Sequence, residues 1–234
     1  MANRDQYVMR RQRRTVCQSP QGTGLTYNVT LTDDGKWLNA PGSDFVFAYL
    51  KSDWPPAVIT AMTTAFETAL KMPTAIKASV KATSGQDVVN GLYLLNQPAM
   101  TTAMNAIDGM GLTGVTHNAE EGSGTAASIN GEFFGAVLGG LGGDVAPMMD
   151  YLTTQMGDLQ AQTKQSTVTD TFGTIIGMIS VMPVLNVPVT TFRYVFSSKT
   201  TSTWFVSIPC GSVENQSYDY CYTAADYSYS PSSK

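Results

Sequence analysis

Charge is the property this chain has least of. Asp, Glu, Lys and Arg make up 14 % of 234 residues, with a net charge of −4. The surface they leave is rich in Thr, Ser and Asn and repels itself weakly, so it tolerates dense contact with itself or with another phase. Histidine occurs once, as His117 in a Gly-rich loop. That leaves no His/His/carboxylate metal site, and the chain has no H-E-x-x-H, Walker or G-x-S-x-G motif. Glu120-Glu121 and Ser212-Val213-Glu214 form no recognisable acid–base pair. The expectation is a protein that is not an enzyme and uses no metal. Three cysteines, Cys17, Cys210 and Cys221, cannot all pair within one chain, and none stands in a C-x-x-C arrangement. Also missing is an uninterrupted apolar run of the ~18 to 20 residues a spanning helix needs. The stretch 173–189 comes nearest, and Ser180, Pro183, Asn186 and Pro188 break it. No apolar signal segment follows the basic start, so the chain reads as soluble when made, either staying inside or leaving by a route other than the classical secretory one.

What is present begins with a core. Apolar residues reach 43 %, and Pro, Gly and Ser are scattered without a linker, which predicts a single domain over 25–230 behind a basic, flexible or cleavable segment 1–24. Arg4, Arg10, Arg11, Arg13 and Arg14 crowd that segment, leaving Arg193 as the one arginine of the body. Such a run binds phosphates of nucleic acid or lipid, serves as a processing site at Arg10, Arg11, Arg13 and Arg14, or is a solvated end.

Along the body, alternation predicts strands over 25–31, ending at Asp33-Asp34-Gly35, and over 44–50. Ser52-Asp53-Trp54-Pro55-Pro56 opens a helix that runs to about Lys71, with Val58, Met62, Phe66 and Leu70 on one face. Pro73 interrupts it, and 75–81 fits strand or helix. Short helices are expected over 88–95 and 98–107, a loop over 109–124, and helices over 128–141 and 145–162. From Val168 the composition turns to Thr, Val, Ile, Phe and Tyr, predicting strands over 174–185, 189–197, 203–208 and 218–222. The sum is an α+β or layered α/β fold with an antiparallel or mixed sheet and helices covering its faces.

Two segments are candidates for contact with lipid. Glycines recur every fourth residue at Gly131, Gly135, Gly139 and Gly143, with Phe133, Phe134, Val137, Leu138 and Leu141 between them. On a helix this spacing makes a smooth groove against which a second helix can pack closely, either in a membrane or inside a soluble body. Each glycine weakens a helix in water by roughly 1 kcal/mol relative to Ala, so the pattern needs a packing reason. The second segment is the strand region, in which Ile175, Ile176, Phe192, Tyr194, Phe196, Trp204 and Phe205 line either a membrane-spanning sheet or a buried central one.

The word Phe45-Val46-Phe47-Ala48-Tyr49-Leu50 leads into the helix from Ala57 to Leu70, and 190–194 leads through a polar turn to Phe205-Val206-Ser207-Ile208-Pro209. In this order of elements the chain resembles the Cyt cytolytic toxins, with volvatoxin and the Erwinia virulence factor Evf. The resemblance implies one domain in which helix hairpins wrap a central, mainly antiparallel sheet. It implies a soluble protein, released and proteolytically activated, that oligomerises on a phospholipid membrane and disrupts it. From the Evf branch it implies a bound or covalently attached fatty acid, for which Cys210 is the candidate; a buried structural thiol is the other reading of that residue. The chain departs from the Cyt pattern in its glycine-rich 109–143. Two alternatives stand beside a toxin: a self-assembling shell protein whose arginine tail binds nucleic acid, and a lipid carrier that does not lyse membranes.

Overall fold

The computed structural model describes residues 14–18, 25–41, 44–88, 91–116, 122–124, 172–182, 184–197, 218–220 and 223–231. In chain order its elements are β1 (Arg14–Gln18), β2 (Thr26–Leu31), β3 (Gly35–Asn39), β4 (Phe45–Lys51), α1 (Pro56–Ala69), α2 (Met72–Ser84), β5 (Leu92–Tyr93), α3 (Gln97–Asn105), β6 (Met110–Thr116), β7 (Gly122–Gly124), β8 (Phe172–Met182), β9 (Val187–Ser197), β10 (Tyr218–Tyr220) and β11 (Thr223–Tyr229). The architecture is mixed α+β. One sheet runs β1-β2-β3-β4-β8-β9-β11-β6, with β5 joined to the start of β8, and β7 pairs with β10 in a separate ribbon.

Among the described residues every strand pairing is antiparallel except β4 with β8. Parallel neighbours need a long crossover, and this one carries all three described helices. Alternation then sorts each strand onto two faces. Val46, Ala48 and Leu50 of β4 join Phe192, Tyr194 and Phe196 of β9 in the core under the helices. The helices answer with residues a turn apart: Met62, Phe66 and Ala69 on α1, Met72, Ile76 and Val80 on α2, Met100, Ala103 and Met104 on α3. The opposite face is buried as well, through Trp37, Phe47, Ile176 and Val195. Across β9 and β11 on that face, Arg193 grips Asp226 with two hydrogen bonds of 2.7 and 2.9 Å.

Local chemistry explains the joints. Asn96 caps α3, its side-chain oxygen accepting from the Ala99 amide at 2.9 Å. The turn at 32–35 is closed by the Asp34 carboxylate, which accepts from the hydroxyls of Tyr49 and Thr32. Tyr49 foremost holds that carboxyl below the usual carboxylate range. Gly35 is required there, because a Cβ would run into the Leu50 carbonyl oxygen.

Several expectations are corrected. The segment 88–95 is not a helix: Gly91 sits at φ +77° and stops one, and Leu92–Tyr93 pairs with β8. The segment 109–124 is not all loop, since β6 forms the last strand of the sheet despite Gly111 and Gly114. Pro73 starts a second helix in its first turn rather than merely ending the first, which settles 75–81 as helical. Within the segment 1–24, expected to be flexible or cleavable, Arg14–Gln18 pairs with β2. The expected helices over 128–141 and 145–162 and the strand over 203–208 lie outside the described residues.

Candidate functional site: an uncharged hairpin overhang

No ionisable side chain occurs from Phe172 to Phe192. These residues form β8, a turn and the first half of β9, paired from Phe172↔Ser197 to Met182↔Val187. The hydrogen-bonded ladders on either side end sooner. β4 pairs with β8 only as far as Ile179, and β11 pairs with β9 only down to Thr190. Three rungs, Ser180↔Val189, Val181↔Pro188 and Met182↔Val187, therefore lie beyond the last ladder pair on either side, a ladder overhang of roughly 10 Å at ~3.3 Å per residue, although β4 itself continues along β3 to Lys51 and Ser180, Val181, Pro188 and Val189 stay half-buried. Pro188 suits this position, for it offers no amide to a further strand where β9 has a described neighbour on one side only.

The turn is compact. The amides of Leu185 and Asn186 both donate to the Met182 carbonyl, at 3.2 and 2.9 Å, and Asn186 takes φ +51°, a left-handed conformation that Asn tolerates. This geometry turns aliphatic side chains into solvent: Val184 is 88 % exposed, Leu185 64 %, Val187 43 % and Met182 42 %. Isolated exposed aliphatics are ordinary on a protein surface; four within six residues on a projecting ribbon without charge mark a contact site.

Beside the overhang lies an open groove of about 530 Å³. One wall is a stripe of small residues on α1, from Ala61 to Thr68, and the floor includes Pro188, Thr190 and Tyr229. Pro188 thus belongs to both features.

Of the residues singled out from sequence, Ile175, Phe192, Tyr194 and Phe196 are brought together under the helices, where Tyr194 and Phe196 stack with ring centres 5.1 Å apart. Ile176 is buried on the opposite face. All five are core side chains here, so lipid reaches them only if the sheet opens. Gly131 to Gly143, Trp204, Phe205, Cys210, His117, Arg10, Arg11 and Arg13 lie outside the described residues; Arg14 begins β1. Sequence reasoning missed Val184 and Leu185, although Asn186 and Pro188, noted as interruptions of an apolar run, are the punctuation of this hairpin.

Burial raises the tyrosine hydroxyls around the core above their ordinary value: Tyr93, helped by Asp44; Tyr194, whose hydroxyl donates to the Leu95 carbonyl at 2.6 Å; and Tyr227, hydrogen-bonded to Thr101. They are structural groups held neutral. Among the described residues no three His, Cys, Asp or Glu cluster as metal ligands, and no helix is long and apolar enough to cross a membrane. No protein-family model matches the chain, and no curated protein does.

Proposed function

We propose that the protein is a membrane-binding and membrane-disrupting factor that meets the bilayer with the β8–β9 overhang. The observation that carries this reading is the overhang itself: three rungs without charge, tipped by exposed Val184 and Leu185. Its exposed side chains sit on the last rung and the turn, from Met182 to Val187, a tip short enough for the ~5 to 10 Å to which interfacial segments sink between headgroups and acyl chains. Polar main-chain groups at a tip of that depth stay within reach of hydrated headgroups, so no spanning helix is needed for docking.

Magnitude decides what one tip can do. Burying a Val or Leu side chain contributes roughly 1.5 to 3 kcal/mol, so two give about 3 to 6 kcal/mol, in the range of marginal, reversible attachment. Stable retention then calls for several tips at once, which favours a homo-oligomer on the membrane through multivalency. The mixed α+β fold with its helix-covered sheet is compatible with the Cyt-like toxin class, and disruption would follow from subsequent opening of the sheet, whose central strands β4 and β8 bury apolar side chains on both faces.

Flotation with phosphatidylcholine vesicles and release of an encapsulated dye test this. The wild type is expected to float and to release dye. The double substitution Val184→Ser, Leu185→Ser is expected to lower partitioning at least 10-fold, because its two changes remove most of that burial term. Equal flotation by both proteins would refute the overhang as the docking element.

A further inference from the structure

We propose that the groove between α1 and the ends of β9 and β11 binds one uncharged, hydroxyl-bearing, rigid lipid of the sterol class. Its volume of about 530 Å³ falls within the ~300 to 1,000 Å³ of sites that enclose a small molecule. The lining chemistry narrows the ligand. No Lys, Arg, His, Asp or Glu is among the described residues of the groove. A fatty-acid carboxylate or a phosphate headgroup would find no counter-charge in this lining, at a cost for any part of it drawn out of water. A neutral ligand avoids that cost.

Shape narrows the ligand again. Ala61 and Ala65 stand one turn apart on α1, and Pro188 and Pro231 line the groove with them, so much of the lining is short and stiff. A flat, rigid body fills such a slot while giving up little conformational freedom, whereas a flexible acyl chain must be ordered along its length. Hydroxyls of Thr64, Thr190 and Ser230 provide donors and acceptors for a single ligand hydroxyl. Location completes the argument, since the groove floor continues directly into the overhang at Pro188. How the ligand arrives rests on the membrane reading; the fit of the groove does not.

The test uses the full chain without vesicles, titrated with dehydroergosterol delivered from cyclodextrin and followed by sterol fluorescence anisotropy. Saturable one-to-one binding is expected. Thr64→Lys places a charge at the groove from an exposed helix position that tolerates it, and Ala61→Phe fills the slot; each is expected to weaken binding at least 10-fold, with helical circular dichroism unchanged. Val184→Ser, Leu185→Ser is expected to bind the sterol as the wild type does, even where it no longer floats with vesicles. Sterol binding by a wild type that ignores vesicles would remove the membrane reading and leave the groove assignment standing. Absence of saturable binding by the wild type, undiminished binding by both groove variants, or displacement of the sterol by an equal concentration of oleate would overturn the assignment.

Discussion

Thr30 is 1 % exposed on β2, and its hydroxyl has no hydrogen-bond partner among the described residues. A buried hydroxyl left unpaired is destabilising by roughly 1 to 3 kcal/mol, whereas Val has nearly the same shape without the polar atom. Thr30→Val is therefore expected to raise stability by about 1 kcal/mol, read as a higher denaturant midpoint at unchanged slope. A lower midpoint would mean that the hydroxyl has a role in the folded state. Gly35 tests the opposite sign. Its missing Cβ leaves room for the Leu50 carbonyl, so Gly35→Ala must displace β3 from β4, and a loss of roughly 1 to 3 kcal/mol is expected. Neither residue draws attention in the sequence. Thr30 sits in an ordinary alternating strand, and Gly35 reads as turn punctuation, because close approach by a neighbouring strand is a tertiary fact.

At the scale of elements, amphipathic periodicity made α1 and α3 legible, and turn residues bounded β2, β4, β8 and β9. The rest were obscured for identifiable reasons. β3, with Trp37, Leu38 and Asn39 all buried, lacks the apolar/polar alternation by which a half-exposed strand is recognised. β6 contains two glycines, which composition assigns to a loop, yet β11 supplies a ladder of partners that overrides propensity. The run 88–95 has helical apolar spacing but Gly91 at its centre, and docking of Tyr93 into the core wins. Phe66 tests the helix layer: it is wholly buried on α1 and meets Tyr27 edge to face at 5.3 Å. Phe66→Ala should destabilise by about 3 to 5 kcal/mol, measured by thermal or denaturant unfolding. A loss under about 1 kcal/mol would indicate that α1 is not seated on the sheet.

For the whole molecule, the buried tyrosines give a signature in pH. Tyr93, Tyr194 and Tyr227 all ionise at higher pH folded than unfolded, mainly through burial. Their contribution is therefore complete below the ordinary tyrosine value of about 10 and is lost as pH rises beyond it, when only the unfolded chain releases the protons. Denaturant midpoints measured from pH 8 to 12 are expected to hold and then fall above about pH 10, with a shallower fall in Tyr194→Phe. A flat profile would show that these rings are not sealed in the core. The site was only half legible at this scale: an uncharged segment is visible in sequence, but the overhang is seen only once the flanking ladders are known to end at Ile179 and Thr190. The account turns on whether that overhang enters lipid. The most direct measurement is the fluorescence of Val184→Trp, taken as the difference from wild type, with phosphatidylcholine vesicles carrying bromine at graded depths along the acyl chains. The added indole is expected to shift to shorter wavelength and to be quenched most by the shallowest bromines, about 10 Å below the surface. An added emission that neither shifts nor quenches in the presence of vesicles would contradict the account.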